Sequence, residues 1–447
     1  MSALHGTDPL GSPWPASATL ADGEVFLAGH PVTKLADRFG TPSFLLDVDD
    51  LLARARAFKT AFDEEFGASV GVYYASKAFS SIAVLRWLRD EGLKVDCSTA
   101  GELAVALAAE VDPADIGLHG NNKSRAELTW AVEVGLGRII VDSLAEIELL
   151  DEVAAALGAS GVPVMVRLTT GVHAGGHEFI ATAHEDQKFG LSVASGAARQ
   201  AVERIAALPR LHLVGLHSHI GSQILAADGF ANAARVVLEL RADLHSEGIA
   251  VPEVDLGGGY GIAYLPGEQE LDPRVAAEEL AAAVRAECDR LGTDMPEVSI
   301  EPGRAIVGPA MMTVYEVGTI KHVQLDEGSR VYVSVDGGMS DNIRPILYGA
   351  NYTARLANRS SSAGSMACRI VGKHCESGDI LIPDIDLPQD LRPGDLLVVA
   401  ATGAYGRSLA SNYNQIPRPG VVAVTSTEAR EIVRRETIED LLRLDVG

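Results

Sequence analysis

Eight short runs of apolar and β-branched residues punctuate the chain between Gly71 and Glu301: Val72–Ala75, Lys94–Val95, Ile116–Leu118, Ile139–Val141, Val164–Val166, Leu213–Leu216, Val254–Leu256 and Val298–Ile300. The stretches between them carry apolar residues near a 3.6-residue period, which predicts helices over Ser80–Leu88, Ala100–Ala109, Ser124–Val134, Ser143–Leu157, Ala194–Ala207, Asp228–His245 and Val275–Leu291. Strands alternating with helices predict βαβ units and a parallel sheet, and eight such units predict a closed (β/α)8 TIM barrel, an α/β fold. After Gly308 the pattern changes to strand-like runs at Met311–Ile320, Val331–Val335, Cys368–Val371, Leu396–Ala401 and Val421–Val424, with one helical stretch at Thr437–Leu444. We therefore expect a barrel over residues 48–308 and an all-β domain over 309–447. The segment 1–47, with strand candidates Glu24–Leu27 and Ser43–Asp47 and a short helix Val32–Phe39 ended by Gly40, has no partner in the barrel and is expected to join the β domain. Residues 1–20 read as a loose leader, and Asp49–Phe66 as the first long helix.

Nearly every run ends in a residue that can do chemistry, and a barrel gathers its active site where its strands end. Lys77 closes the first run; crowding by apolar neighbours there favours covalent bonding to an aldehyde, whereas the bland alternative is a lysine packing its stem on the rim. Asp96 and Cys97, His119, Asp142 and Arg167 follow the next four. His217 and His219 close the sixth, two residues apart and so on one side of the strand, with Ser222 as a phosphate ligand candidate. Gly257, Gly258 and Gly259 follow the seventh and offer backbone N–H groups to an anion, or else a tight turn. Glu301, Gly303 and Arg304 follow the eighth: the glutamate suits a heterocyclic nitrogen and the guanidinium a carboxylate, against a plain rim salt bridge. In the β region, Cys375 can donate a proton and Glu376 can take an ammonium. Asp336–Met339, Arg344, Tyr348 and Tyr405 form a further candidate group.

The long segment Thr170–Gly190 lacks periodicity, as functional loops do. It holds His173, His177, His184, Glu185, Asp186 and Lys188, but the histidine spacing matches no ligand motif, so a lid is expected and a metal is not. The four cysteines, Cys97, Cys288, Cys368 and Cys375, form no C-x-x-C pair, which argues against zinc and suits a reducing cytosol. A net charge of −24 argues against nucleic acid and against charge-driven binding to anionic membrane. No signal peptide is readable and no apolar stretch reaches the ~18 residues of a span, so a cytoplasmic protein is expected.

As a set these motifs resemble the fold-type III pyridoxal-phosphate-dependent decarboxylases: Tyr-Ala-Ser-Lys at 74–77, His-Gly-Asn-Asn-Lys at 119–123, Lys-Phe-Gly at 188–190, His-Ser-His-Ile-Gly-Ser at 217–222, Gly-Gly-Gly at 257–259, Glu-Pro-Gly-Arg at 301–304 and Cys-Glu-Ser-Gly-Asp at 375–379. The resemblance implies pyridoxal 5′-phosphate as cofactor, held covalently by Lys77, stacked by His217, met at its ring nitrogen by Glu301, and approached by Asp96, Ser222, Gly257, Gly258, Gly259, Gly303, Arg304 and Tyr405. It implies substrate contacts from Arg304, Arg344, Tyr348, Glu376 and Tyr405, and Cys375 as a proton donor supplied by a second subunit of a homodimer. One departure from the pattern is Phe79, where many members carry asparagine. The implied reaction is decarboxylation of meso-diaminopimelate to lysine. The alternatives are an ornithine- or arginine-type decarboxylase on the same scaffold and a non-catalytic pyridoxal-phosphate-binding protein.

Overall fold

The computed structural model describes residues 8–67, 70–172, 187–226 and 228–447. The chain forms two compact units, Arg54–Gly261 with Glu270–Gly303, and Met1–Ala53 with Ile262–Gln269 and Arg304–Gly447.

In the first unit the eight predicted runs are strands: Gly71–Ala75, Lys94–Cys97, Ile116–Leu118, Arg138–Val141, Val162–Thr169, Leu211–Ser218, Glu253–Asp255 and Glu297–Ile300. Each pairs in parallel with the next. The eighth pairs with the first, Ile300 opposite Val72, which closes the barrel. A short strand, Leu191–Ser192, adds to the outside of the fifth. The helices following the first four strands all start the same way. Ser81, Thr99, Ser124 and Ser143 each accept a hydrogen bond from the backbone N–H three residues on, filling one of the donors that a helix start leaves open. Three of those N–H groups belong to glutamates, and all three reach back: Glu127 completes a capping box, Glu102 accepts from Ser98 N and Glu146 from Asp142 N. These caps fix the turns that present the strand-end side chains.

The barrel interior is not a plain stack of branched aliphatics. Arg138, almost fully buried, lies 3.5 Å over the Tyr73 ring and donates to Asp255 Oδ2 at 2.5 Å and to Glu253 Oε1 and Ser299 Oγ at 2.9 Å. Asp96 Oδ1 is 3.7 Å away. Gly117 makes room for this layer: a Cβ there would fall 2.8 Å from Asp96 Oδ1 and 3.1 Å from Arg138 Nε.

The second unit is mostly sheet. Ser43–Asp47 lies between Met311–Gln324, antiparallel, and Val421–Val424, parallel. The sheet continues through Ser329–Val335 and Ser365–Val371 to an edge strand, Ile380–Pro388, which the sequence reading missed. Pro383 and Pro388 mask its strand character, and an edge is where proline is tolerated. Residues 8–20 are not a loose leader. Asp8–Pro9 and Thr19–Ala21 belong to a small four-stranded sheet with Glu24–Leu27 and His30–Pro31, and Trp14 and Ala18 are buried in the core with Leu45, Met312 and Val398. Few apolar residues suffice to anchor this segment because each packs against the large sheet.

Replacing Arg138 by methionine leaves the buried Asp255 and the half-buried Glu253 without their counter-charge. Urea denaturation should show a loss of about 3–5 kcal/mol, and a loss below about 1 kcal/mol would show that the layer is not held by this charge.

Candidate active site

A cavity of about 280 Å³ opens at the C-terminal ends of the barrel strands, lined by Lys77, Asp96, Ser98, His119, Asn121, Arg167, Phe189, His219 and Glu301 among others. All but Phe189, which closes the long segment after the fifth strand, come from a strand end or the turn after it. Lys77 sits in a single 3-10 turn, Ser76–Ala78, directly after the first strand. That turn packs on the eighth strand end: Ala75 N donates to Pro302 O at 3.4 Å, and a Cβ at Gly303 would come within 3.0 Å of Ala75. Contrary to the expectation of apolar crowding, Lys77 is exposed and faces a cavity whose walls are polar and charged.

The buried wall is a carboxylate between two imidazoles. Glu301 Oε1 lies 3.0 Å from His119 Nε2 and 3.0 Å from His217 Nε2, and His119 Nε2 is also 3.2 Å from Asp96 Oδ1. The three reactive atoms of His119, His217 and Glu301 lie within 4.8 Å of one another, and the two rings meet edge to face at 5.0 Å. Against the penalty of burial, the two imidazoles hold Glu301 well below the usual carboxylate range. Burial, reinforced by the Glu301 charge, pushes the Asp96 carboxyl up. Burial also opposes charge on His119, but the Glu301 and Asp96 carboxylates outweigh it and push it up to about 9. The wall therefore presents one carboxylate that stays ionised, with a proton held on its neighbours.

The structure separates the two histidines that the sequence left together. His217, the expected stacking residue, is fully buried against Glu301, and burial lowers its proton affinity. It is His219 that lines the cavity, half-buried, its Nδ1 accepting from Gly258 N at 3.2 Å. That bond leaves any proton on Nε2, and burial, followed by the Lys77 and Arg167 charges, holds His219 well below its usual value. His219, not His217, is thus the ring that lines the cavity and has the placement stacking needs. The period of two fixed which side both histidines occupy, but not their depth along the barrel axis.

The three glycines answer to packing first. A Cβ at Gly257 would lie 2.4 Å from Ser218 O, at Gly258 2.1 Å from Glu301 O, and at Gly259 2.4 Å from Gly221 O. The expected free N–H groups are engaged at two of them: Gly257 donates to Asp255 Oδ1 at 2.8 Å and Gly258 to His219. Ser222 is half-buried in the turn after the sixth strand. Lys123 is structural: its ammonium donates to Gly120 O, Ile140 O and Glu146 Oε1, pinning the turn that carries His119 and Asn121. His119, Arg167 and His219 were the cavity residues the sequence analysis weighted least; their signal was position at a strand end. The histidines of the expected lid, His173, His177 and His184, lie outside the described residues, as do Glu185 and Asp186.

The remaining predicted residues belong to the second unit. Arg304 and Arg344 are buried, and both donate to Tyr264 Oη, at 2.5 Å and 2.8 Å; Arg344 also donates to Tyr352 Oη at 2.5 Å. The Arg304 guanidinium lies 4.8 Å over the ring of Tyr405, whose backbone sits in the left-handed region at φ 60°. Tyr348 was expected beside Arg344; the phenols on Arg344 are those of Tyr264 and Tyr352, and Tyr348 is half-buried at the end of the short helix Arg344–Tyr348. Cys375 and Glu376 are exposed on a loop fixed at its base by Asp379, which accepts from His374 Nδ1 at 2.8 Å, His374 N at 2.9 Å and Met339 N at 2.6 Å. Cys375 N donates to Asn414 Oδ1 at 3.0 Å. Gly338 belongs to this lock: a Cβ there would strike Asp379 and His374.

Several buried atoms around the cavity lack a hydrogen-bond partner of good geometry: Ser76 Oγ, both Asp96 oxygens, His119 Nε2 and Glu301 Oε1. Orphaned polar atoms in a cavity call for a polar ligand, and a lysine facing an ionised carboxylate fits pyridoxal 5′-phosphate, an aldehyde on a basic heteroaromatic ring.

The family profile described as pyridoxal-dependent decarboxylase, pyridoxal binding domain, matches residues 48–308. The diaminopimelate decarboxylase of Mycobacterium tuberculosis (strain ATCC 25618 / H37Rv) is 53% identical over 442 residues, covering 97% of each chain. That of Corynebacterium efficiens is 50% identical over 436 residues, covering 97% of this chain and 94% of its own. The crystal structure of diaminopimelate decarboxylase from M. jannaschii in co-complex with L-lysine superposes with a TM-score of 0.90 at 31% identity, covering 96% of this chain and 98% of that one.

His119 binds its proton more tightly folded, at about 9, than in the unfolded chain near 6.5, so its contribution to stability is full below about 6.5 and is lost as pH rises through 9. Melting of the cofactor-free protein should show a fall in stability spread between about pH 6.5 and 9 that is absent in His119→Asn; an unchanged profile in the variant would contradict this assignment.

Proposed function

The chain belongs to the diaminopimelate decarboxylases, within the pyridoxal-dependent decarboxylase family, and on that premise we propose that it converts meso-2,6-diaminopimelate to L-lysine and carbon dioxide. The observation that carries this is an exposed lysine, Lys77, and an ionised buried carboxylate, Glu301, lining one cavity at the strand ends of a barrel. Bound pyridoxal 5′-phosphate supplies a ring that takes up the charge left on the α-carbon when carbon dioxide departs.

In this proposal Lys77 holds the cofactor covalently and Glu301 keeps a proton at the ring nitrogen. His119 and His217 fix that carboxylate in its ionised form. His219 stacks on the ring, with Asp96 and Arg167 at the cavity wall. Ser222, Gly259, Gly303 and Arg304 hold the phosphate end, and Gly257 and Gly258, whose N–H groups are engaged within the barrel, shape the turn beside it. Arg304, Arg344 and Tyr348 take substrate carboxylate, Glu376 takes the distal ammonium, and Tyr405 contacts both cofactor and substrate. Cys375 returns a proton to the α-carbon. Its exposure, on a loop locked by Asp379, supports a homodimer in which each subunit lends Cys375 and Glu376 to the other's site. The four unpaired cysteines support a cytoplasmic setting; no helix among the described residues is long and apolar enough to cross a membrane. The names carried by relatives at about half identity favour this substrate over an ornithine- or arginine-type one. The exposed thiol and acid favour an enzyme over a non-catalytic carrier.

Purified protein supplied with pyridoxal phosphate should release carbon dioxide from meso-diaminopimelate and far less from ornithine; the reverse preference would replace the proposal by its rival. Lys77→Ala should lose the near-visible absorbance of bound cofactor, and Cys375→Ala should keep that band and lose turnover. Mixing those two inactive dimers should restore about a quarter of wild-type turnover, because half the mixed population carries one intact site of two. No recovery from a confirmed subunit exchange would rule out shared sites.

A further inference from the structure

Tyr264 is absent from every motif discussed above, yet its phenol oxygen is where two buried arginines meet. A phenol oxygen has two acceptor positions and one donor hydrogen. Arg304 and Arg344 occupy both acceptor positions of Tyr264, at 2.5 Å and 2.8 Å, so what remains to Tyr264 is its O–H, a donor like the guanidinium N–H groups around it. Tyr352 backs Arg344 from a second direction and packs edge to face on Tyr264 at 5.3 Å.

Partner chemistry sets this group apart from the other buried arginine. Arg138 is neutralised by Asp255 and Glu253. Among the described residues no carboxylate lies within ion-pair distance of Arg344; its hydrogen-bond partners are phenols, which accept without cancelling charge. Burial keeps Tyr352 protonated, its phenol pushed up to about 12. Such an arrangement fixes two like charges close to one oxygen and leaves the Arg344 charge uncancelled by its phenol partners, so that an incoming carboxylate would gain charge-assisted hydrogen bonds there.

Building on the assignment of Arg304 and Arg344 to substrate carboxylate, we propose that Tyr264 is the positioning residue that locks the two guanidinia into one carboxylate-recognising unit, and so sets the requirement for a second carboxylate on the substrate. Loss of its oxygen frees each arginine to reorient while the ring still fills its place. The effect falls on ligands bearing a carboxylate for this unit and spares those without one.

The test compares Tyr264→Phe with wild type, both loaded with pyridoxal phosphate. The KM for meso-diaminopimelate should rise about tenfold or more with kcat within about threefold, as weakening of binding shared by ground and transition states requires. Calorimetry with pimelate, a dicarboxylate lacking amines, should show an affinity loss of about tenfold, while inhibition by cadaverine, a diamine lacking carboxylates, stays unchanged. Both proteins are compared at saturating pyridoxal phosphate and below their melting transitions, because Arg304 also serves the phosphate end and two buried guanidinia lose an acceptor. Tyr352→Phe, which takes away one of the two phenols on Arg344, should give the same selective weakening to a smaller extent and serves as the test if Tyr264→Phe does not fold. Pimelate affinity and KM both within a factor of about two of wild type, or equal weakening toward cadaverine, would overturn the proposal. Pimelate binding needs no turnover: a wild-type protein that binds pimelate through Tyr264 but releases no carbon dioxide would refute the proposed reaction and leave this inference standing.

Discussion

The barrel depends on burying charge without leaving it uncompensated. Arg138 sits in the interior among Asp255, Glu253 and Asp96, and above it Asp96, His119, Glu301 and His217 continue the polar column to the cavity. Isolated, any of these ions would neutralise itself rather than remain charged in a low-dielectric core. Together they divide protons unequally: Asp96 and His119 gain affinity, Glu301 loses it. The result is an anionic carboxylate held at the cavity wall well below its usual range, the property that the proposed pairing with a ring nitrogen calls for.

Rigid backbone turns that electrostatic arrangement into geometry. Serine and threonine caps start the helices on the first four strands, Lys123 ties down the turn bearing His119, and three consecutive glycines let the seventh strand end lie against its neighbours at distances that no Cβ would permit. Lys77, by contrast, is left accessible on a single turn. A reactive amine must reach an aldehyde from solvent, and a fixed carboxylate must not move; the two ends of the cavity are built to those opposite demands.

The second unit handles charge by the other route. The half-buried Arg359 pairs with acids, Asp395 and Asp390. The buried Arg344 instead leans on phenols and keeps its charge available. Cys375 and Glu376 are likewise exposed, yet the loop that carries them is braced by a buried histidine–aspartate pair and by Asn414. Reactive groups in both units are held by partners that orient them without consuming their charge or their proton.

Much of this was legible along the chain. Eight β-branched runs became eight strands because buried parallel strands need apolar side chains on both faces, and strand ends located Lys77, Asp96 and Glu301. Helix starts were placed a residue or two early where the capping serine was counted in the helix. What the chain hid was three-dimensional. His217 and His219 differ in depth, not in pattern. Tyr264 and Tyr352 come to Arg344 from separate segments with no local motif, and Ile380–Pro388 carries two prolines that only an edge position excuses. The most direct test of the central claim is borohydride reduction of the cofactor-loaded protein followed by peptide mass mapping. The account predicts a phosphopyridoxyl label on the peptide bearing Lys77 and on no other lysine. Label elsewhere, or none on a protein that turns over, would contradict it.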